Sequence, residues 1–335
     1  MQSVYFNRST RFIRWIVLLV IVVLPKAASA QWHATVGAQS ANMGRQALAF
    51  LPNEIWIHEG ENITWKFNAG EIHTVSFLAT SPAAQLRPAF SNGCPGFSSD
   101  PAWFDGSACV STPPLVQGST FTVSFPAAGN FKLVCLVHPD MTGVVHVLEL
   151  SKPLPHTQYF YDEEAEAQTR ALLSDADRED NEEGHSAERH SHEGQVVVGG
   201  GEISTNPGGA STLSIMRFVG HTLVIHAGQT AEWGSDDPED PHTITFGTEP
   251  AGDPFPPSAN VTMDADGARH AIINSTSDSV HSGFIFVAPQ DRTGLAQSPL
   301  SATRFRVTFT HPGTYPYICA LHDTLGMKGK VIVLP

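Results

Sequence analysis

Residues 121–148 read FTVSFPAAGNFKLVCLVHPDMTGVVHVL, and residues 305–334 read FRVTFTHPGTYPYICALHDTLGMKGKVIVL. Upstream of these stretches, IHEGENITW at 57–65 is similar to IHAGQTAEW at 225–233. Within the longer stretches six residues recur at one constant offset: Phe121 with Phe305, Phe125 with Phe309, Gly129 with Gly313, Phe131 with Tyr315, Cys135 with Cys319, and His138 with His322. Such regular agreement indicates an internal duplication. The chain is therefore predicted to contain two copies of one folding unit.

Each copy carries a closely spaced group of sulfur and nitrogen side chains. A cysteine, a histidine and a methionine end each copy, and a further histidine precedes them in register, in EIHTVSF or DPHTITF. The eight residues are His73, Cys135, His138 and Met141 in the first copy, and His242, Cys319, His322 and Met327 in the second. Thiolate and thioether are soft donors that favour Cu(I), whereas imidazole also serves Cu(II). The pattern predicts one mononuclear copper site with a weak axial sulfur in each copy.

A zinc site is the main alternative for the same residues, with one cysteine, two histidines and a water molecule as ligands. Methionine recurs in both copies, and thioether is a poor ligand for zinc, so the pattern favours copper. For Met141 and Met327 alone, ordinary core packing is the alternative to axial ligation. Their position beside the other ligands favours axial ligation.

The strand pattern predicts an all-β fold. The chain has 335 residues, of which 41% are hydrophobic and 16% charged, enough apolar material for two cores. Short alternating or apolar runs bounded by Gly, Pro and Asn fill residues 31–150, and residues 196–335 repeat the plan. Runs of this kind without crossover helices predict an antiparallel sandwich of two sheets in each region. Within the second region, residues 247–300 form a Pro-, Asn- and Asp-rich insertion with no readable pattern.

The alternation of the ligand strand predicts where the ligands lie. In FKLVC, the side chains of Phe131, Leu133 and Cys135 share one face of the strand. The cysteine is therefore predicted to point into one end of the core. His138 and His322 follow in turns, where the edge of an imidazole ring is expected to reach the surface.

Residues 151–195 form an acidic linker that carries over half of the net charge of −14. Residues 156–177 are rich in helix formers and predict a short helix, whereas residues 178–194 are polar without apolar periodicity and predict a flexible connector. His185, His190 and His192 in the connector are interpreted as solvated, with loose metal binding as the alternative. The acidic charge argues against nucleic-acid binding and would at most favour basic partners.

The N-terminus predicts export. Three arginines precede the apolar run at 15–24, and Ala-Ser-Ala at 28–30 fits a cleavage site, so residues 1–30 are predicted to be a cleaved signal peptide. An uncleaved membrane anchor is the alternative, but ten apolar residues are about half of the ~20 that cross a bilayer. The mature protein is expected to be secreted or periplasmic, without stable membrane insertion. In that oxidising setting Cys94 and Cys109 are predicted to form a disulfide across an insertion that the second copy lacks.

On these ligand motifs and repeated strands, each copy resembles a cupredoxin, the plastocyanin, amicyanin and azurin family of blue-copper proteins. The first ligand loop has amicyanin-like spacing and the second plastocyanin-like spacing. The resemblance covers most of 31–150 and 196–335 and implies two tandem Greek-key β-sandwiches with one type 1 copper each. It implies that His73, Cys135 and His138 are equatorial ligands with Met141 axial, and that His242, Cys319 and His322 are equatorial ligands with Met327 axial.

The resemblance also implies a function in electron transfer. Electrons would be taken up or released through the exposed edges of His138 and His322, in exchange with redox partner proteins that the sequence does not identify. Thr74 and Thr243 depart from the family, since many members carry asparagine directly after the first histidine. Threonine can still hydrogen-bond and is expected to alter the link between the ligand loops.

Two other functions use similar ligands. A two-domain multicopper oxidase or copper nitrite reductase would place a histidine before the ligand cysteine and use HxH pairs for further coppers. Here Val134 and Ile318 precede the cysteines, and the HxH pair His190 and His192 lies in the linker. Copper sequestration or delivery is a third interpretation, to which the linker histidines lend some weight. The sequence favours an electron carrier over an enzyme.

Overall fold

A computed structural model describes residues 31–79, 94–138, 140–191, 194–252, 256–287 and 302–335, with only the backbone described for 176–191. The predicted signal peptide lies outside the described residues, as do parts of the 247–300 insertion. The described chain is mostly β-strand and forms two sandwiches, which confirms the predicted all-β fold. No helix among the described residues is long and apolar enough to cross a membrane.

The first sandwich has a mixed sheet packed on a second five-stranded sheet. One sheet contains β2-β1-β4-β8-β6 in that order, and the other β3-β10-β9-β5-β7. The strands are β1 (Gln31–Gln39), β2 (Arg45–Leu51), β3 (Glu54–His58), β4 (Asn62–Phe67), β5 (Ser76–Phe77), β6 (Ala102–Trp103), β7 (Val110–Ser111), β8 (Thr120–Ser124), β9 (Gly129–Val134) and β10 (Thr142–Leu148). Trp65, Phe77 and Phe125 pack in contact at the centre of the buried core between the sheets.

The second sandwich repeats this plan. Its sheets have the orders β14-β11-β16-β21-β19-β18 and β15-β23-β22-β17-β20, around a core centred on Trp233. The strands of the second region are β11 (Gln195–Val198), β12 (Gly201–Asn206), β13 (Gly209–Ile215), β14 (Phe218–Val219), β15 (Thr222–His226), β16 (Thr230–Ser235), β17 (Thr245–Phe246), β18 (Thr262–Met263), β19 (Arg269–Ile273), β20 (Val280–His281), β21 (Arg304–Phe309), β22 (Gly313–Ile318) and β23 (Lys328–Leu334).

The strand pattern predicted purely antiparallel pairing, and this prediction is wrong. In the first sandwich β1 runs parallel to β4, and β10 runs parallel to β3. In the second, β11 runs parallel to β16, and β15 runs parallel to β23. Connections that cross from one sheet to the other return strands in the same direction. Alternation of side chains is the same in either pairing, so the sequence pattern could not tell the two apart.

A hairpin from the second region completes a sheet of the first sandwich. Strand β13 pairs antiparallel with β2, with Thr212 opposite Leu48, and β12 lies outside β13. The sheet therefore has seven strands, and residues 201–215 cover an edge of the first sandwich although they lie within 196–335. Because an open strand edge presents unpaired backbone groups, this pairing stabilises both units together.

The predicted helix is present but longer than expected. Helix α1 runs from Gln158 to Ser191 and packs across β1, β2 and β13. Tyr161 is buried, and its hydroxyl accepts a hydrogen bond from the Trp56 N–H and donates one to the Trp56 carbonyl. The prediction of a flexible connector for 178–194 is wrong as far as residue 191. The segment 178–191 contains four glutamates and two arginines, and such residues support a helix without apolar periodicity.

The predicted disulfide is also present. Cys94 is bonded to Cys109, within the connection between β5 and β8. The prediction that the second copy lacks this insertion is wrong, because the equivalent connection between β17 and β21 is longer still. The two cysteines pack against Leu78, Val134 and Leu136. The bridge thus attaches the long connection to the sheet that carries the ligand cysteine.

Candidate metal centres

The first candidate centre brings together three residues from distant parts of the chain. His73 forms a bridge to Leu115, Cys135 directly follows β9, and His138 lies in the next turn. The Nδ1 atoms of the two histidines are 3.1 Å apart, and Cys135 Sγ lies 3.6 Å from His138 Nδ1. All three side chains are buried. Two imidazole nitrogens and one sulfur therefore surround one small pocket, which we call the first pocket.

The second candidate centre has the same arrangement. His242 Nδ1 is 3.1 Å from His322 Nδ1, and Cys319 Sγ lies 3.5 Å from His322 Nδ1 and 3.9 Å from His242 Nδ1. A short 3-10 helix, Asp323–Leu325, ends at Gly326 in the left-handed conformation, φ 91°. This extra turn accommodates the longer spacing to the methionine. The three ligand atoms form the second pocket, equivalent to the first.

The backbone brings each methionine next to its cysteine. In the first pocket, the Met141 N–H donates to the His138 carbonyl, and the Cys135 N–H donates to the Met141 carbonyl. The same two kinds of bond link Met327 to His322 and Cys319. Both methionines are fully buried in the same core cluster as their cysteine. The structure therefore places all eight predicted residues in two compact groups of four.

A threonine links the two ligand segments of each pocket. The Thr74 N–H donates to Cys135 Sγ at 3.3 Å, and Thr74 Oγ1 accepts the Leu136 N–H at 2.8 Å. Thr243 does the same in the second pocket, with a 3.4 Å bond to Cys319 Sγ. The residue that departs from the family pattern thus ties the segment of the first histidine to the cysteine loop.

The surroundings favour the thiolate form of both cysteines. Burial alone would raise the pKa of the Cys135 thiol, but the adjacent imidazoles of His138 and His73 lower this pKa well below its usual value. The pKa of the Cys319 thiol is lowered in the same way, by His322 and His242 against the effect of burial. Because the thiolate is the form that binds metals, both pockets are prepared for a cation.

Both pockets fit a copper ion. One soft thiolate with two imidazole nitrogens suits copper in either oxidation state, and a buried methionine lies beside them. A glycine with φ 68° packs against Nε2 of the first histidine in each pocket, Gly37 against His73 and Gly199 against His242. A Cβ atom added to Gly37 would lie only 2.6 Å from His73 Nε2, and one added to Gly199 would clash with His242 Nε2 in the same way. Each of these histidine rings is therefore held by the backbone behind it.

The two pockets differ behind the first histidine. Among the described residues, His73 Nε2 has no hydrogen-bond partner. His242 Nε2 lies 3.2 Å from Oδ2 of the buried Asp237, which also accepts a bond from the Ser214 hydroxyl. Burial lowers the pKa of His242, but Asp237 and Cys319 outweigh it and raise this pKa to about 10. Asp237 was not among the residues predicted from the sequence, although the local run DDPEDPH contains it.

The prediction of exposed histidine edges is wrong. His138 and His322 are 0% and 3% exposed, because the ligand loops of the two sandwiches face each other. His138 Nε2 lies 2.9 Å from Asp240 Oδ1 of the other sandwich, and His322 Nε2 lies 3.4 Å from Glu71 Oε2. The prediction treated each copy as a separate domain, whereas the second copy covers the edge that the first would expose.

Glu71 and Asp240 are equivalent residues that sequence analysis missed. Each stands two positions before the first ligand histidine, in Glu-Ile-His and Asp-Pro-His, so the aligned repeats contained the signal. Burial opposes the charge on His322, but Cys319 and Glu71 raise the pKa of His322 to about 9. Burial likewise opposes ionisation of Asp240, yet His138 lowers the pKa of Asp240 below its usual range. Each acid thus stabilises an imidazolium of the opposite sandwich.

Known proteins are similar to this chain. The family model described as copper binding proteins, plastocyanin/azurin family, matches residues 37–148 and 205–334, well over half of the chain. Similar solved structures include a reduced amicyanin mutant (18% identity, 37% of this chain and 87% of that chain, TM-score 0.24) and a purple cupredoxin from Nitrosopumilus maritimus (20% identity, 35% and 99%, TM-score 0.23). An oxidised plastocyanin from Dryopteris crassirhizoma matches at 21% identity over 42% and 99%, with a TM-score of 0.21. By the family match, the chain belongs to the plastocyanin/azurin family of copper-binding proteins.

Proposed function

We propose that the protein binds one type 1 copper ion in each pocket and transfers single electrons without transforming a substrate. The observation that carries this proposal is the duplicated set of donors, in which one sulfur and two Nδ1 atoms converge in each sandwich. His73, Cys135 and His138, with Met141, are the ligands proposed for the first pocket. His242, Cys319 and His322, with Met327, are those proposed for the second.

The chain's part in this function is to hold the donors in place. A bound copper ion would supply a one-electron couple between Cu(I) and Cu(II). The cysteine follows a strand of the core, the threonine N–H bonds to its sulfur, and the glycine behind the first histidine limits the movement of the ring. Donors held this rigidly serve both oxidation states with little rearrangement, which favours rapid electron transfer.

We propose that the interface between the sandwiches is the route between the two pockets. The rings of His138 and His322 lead out of their pockets toward each other, and one carboxylate, that of Glu71, lies 3.8 Å from the first ring and 3.4 Å from the second. Such a short path through three buried side chains supports exchange of electrons inside the molecule. Exchange with outside redox partner proteins then requires another surface than these histidine edges.

The proposed setting is extracytoplasmic. The Cys94–Cys109 disulfide is the kind of bond that persists in oxidising compartments. We propose secretion or export to a periplasm, after cleavage of residues 1–30. Mass spectrometry of the exported protein would test this proposal, since a mature chain that retains residues 1–30 would contradict it.

Visible and EPR spectra with a copper count per chain test the copper proposal. We expect two coppers of one type and an intense blue band. Cys135→Ser and Cys319→Ser are matched variants, and each should lose one copper and about half of the blue absorption, while the other pocket is unaffected. Additional coppers of a second type, together with turnover of oxygen or nitrite, would identify an enzyme. Loss of both coppers to a modest chelator would indicate sequestration or delivery.

A further inference from the structure

Four buried side chains meet where the two sandwiches face each other. Glu71 and His138 come from the first sandwich, and Asp240 and His322 come from the second. His138 Nε2 lies 2.9 Å from Asp240 Oδ1 and 3.8 Å from Glu71 Oε1, and His322 Nε2 lies 3.4 Å from Glu71 Oε2. We call these four residues the interface cluster. Its donors are carboxylate oxygens and the imidazole nitrogens that point away from the copper pockets.

Two atoms of the interface cluster are buried without a hydrogen bond. Asp240 Oδ2 has no hydrogen-bond partner in the described part of the chain. His138 Nε2 has none either, although it lies 2.9 Å from Asp240 Oδ1 as an ion-pair contact. A buried polar atom without a partner costs about 1–3 kcal/mol, more when it is charged.

The negative charge of the cluster also lacks a basic side chain. Within the described ranges, the ion-pair partners of Glu71 and Asp240 are the imidazoles of His138 and His322, and neither acid has a Lys or Arg partner. Glu71 is 6% exposed and Asp240 is 1% exposed. Carboxylates that are this buried are normally paired with a cation or coordinate a metal ion, and an imidazole whose Nδ1 binds copper is neutral and no longer serves as that cation. Ligand atoms of Glu71, His138 and Asp240 all lie within 4.8 Å of one another, a spacing that can hold an ion.

We propose that the interface cluster is a third metal site, which binds a divalent cation such as Zn²⁺ between the two copper pockets. Glu71, Asp240 and His138 offer two carboxylate oxygens and one imidazole nitrogen, a three-donor set that leaves the fourth position of a tetrahedral zinc ion to water. The His138 ring gives up its Nε2 proton to solvent when the cation binds, so one proton is released per ion. This inference rests on the proposed function, because the Nδ1 atom of the same ring is assigned to copper.

The site would exist only in the assembled molecule. The first sandwich supplies Glu71 and His138 and the second supplies Asp240, so neither can form the donor set alone. His138 would then lie between the third cation and the first pocket, and His322 would contact the site through Glu71. Binding of the cation is therefore expected to stabilise the contact between the sandwiches and to alter the spectrum of the first copper most.

Zinc binding to the copper-loaded full-length protein tests the site. The parent for all measurements carries His185→Ala, His190→Ala and His192→Ala, which remove the linker histidines as competing ligands. The parent is loaded with copper, titrated with Zn²⁺ alone, and analysed by elemental analysis and by visible and EPR spectroscopy. We expect two coppers and one zinc per chain, and a shift of the blue band and the EPR signal on addition of zinc.

Paired variants locate the zinc. Glu71→Gln with Asp240→Asn should keep two coppers and lower zinc affinity by at least ~100-fold, because direct ligands are removed. Glu149→Gln with Glu163→Gln removes the same charge from exposed positions and should bind zinc like the parent. If the parent binds no zinc and its copper spectra do not respond, the inference is wrong. It is equally wrong if the Glu71/Asp240 variant keeps the zinc. A copper count below two in the parent would instead contradict the proposed function.

Discussion

Replacing Gly37 with alanine should displace His73 from the first pocket. Gly37 has φ 68°, and a Cβ atom there would lie 2.6 Å from His73 Nε2 and 2.7 Å from the Cβ of Ala69. Ordinary contact begins near 3.4 Å, so the ring or the backbone must move by about 0.8 Å. Such a shift exceeds the ~0.5 Å within which a functional ligand set must be held. We expect the pocket to open on this side.

The expected magnitude has two parts. An alanine in the left-handed region costs about 1–2 kcal/mol of stability wherever it occurs. The displacement of the ring adds a loss of copper affinity in the first pocket, of roughly 10–100-fold, as for other changes that misorient a metal ligand. The second pocket should keep its copper. The variant is therefore expected to retain one copper under conditions in which the unaltered protein holds two.

Gly60 provides the matched control. It has φ 84°, but a Cβ atom there would meet nothing within 4 Å. Gly60→Ala should lose about the same 1–2 kcal/mol in denaturant unfolding and bind copper normally. Competitive titration with a copper chelator, followed by the blue band, measures the affinity of each pocket. Equal copper affinities in Gly37→Ala and Gly60→Ala would refute the idea that the glycine holds the ligand ring.

Three further changes test other parts of the structure. Asp237→Asn removes the buried carboxylate behind His242 and should raise the reduction potential of the second pocket by roughly 65 mV, equivalent to about 1.5 kcal/mol. Spectroelectrochemistry measures this potential, and no change, or an equal change in the first pocket, would contradict this role of Asp237. Tyr161→Phe removes the bonds between helix α1 and Trp56 and should cost about 1–2 kcal/mol in denaturant unfolding, whereas the exposed Tyr159→Phe should cost almost nothing. Copper loading of the second pocket should release protons at pH 7, because the pKa of His242 is raised to about 10 and copper binds the neutral ring. The copper affinity of this pocket should therefore increase with pH. Calorimetry in buffers of different ionisation enthalpy measures the released protons, and finding none would contradict this prediction.

Local residue patterns were enough to predict the four candidate ligands of each copy and most of the strands. The constant offset shared by Cys135/Cys319 and five other residue pairs identified the duplication. The donor types indicated copper rather than zinc. Alternation within each strand placed the cysteines on the buried face, as the structure confirms. The Cys94–Cys109 disulfide followed from export and from the absence of other unassigned cysteines. In each case the relevant information lies within one short segment or in the comparison of two segments.

Other features depended on contacts between parts of the chain that share no local pattern. The parallel pairing of β1 with β4 leaves the same alternation as an antiparallel pair, and the hairpin of β12 and β13 appears in the sequence as part of the second copy. The continuation of helix α1 to Ser191 came from helix-forming residues that have no apolar periodicity. These errors arose because a one-dimensional pattern reports burial and propensity but not the partner against which a segment packs.

The sequence by itself determined that this protein has two copies of one pattern of two histidines, a cysteine and a methionine, since donor chemistry and spacing are properties of the residues themselves. Only the tertiary structure decided that the two motifs face each other, with His138 beside Asp240 and His322 beside Glu71. The physical reason is that the residues of each pair belong to different sandwiches and are more than a hundred positions apart in the chain. Their approach depends on how two complete cores pack together. The same packing buries His138 and His322, which were expected at the surface.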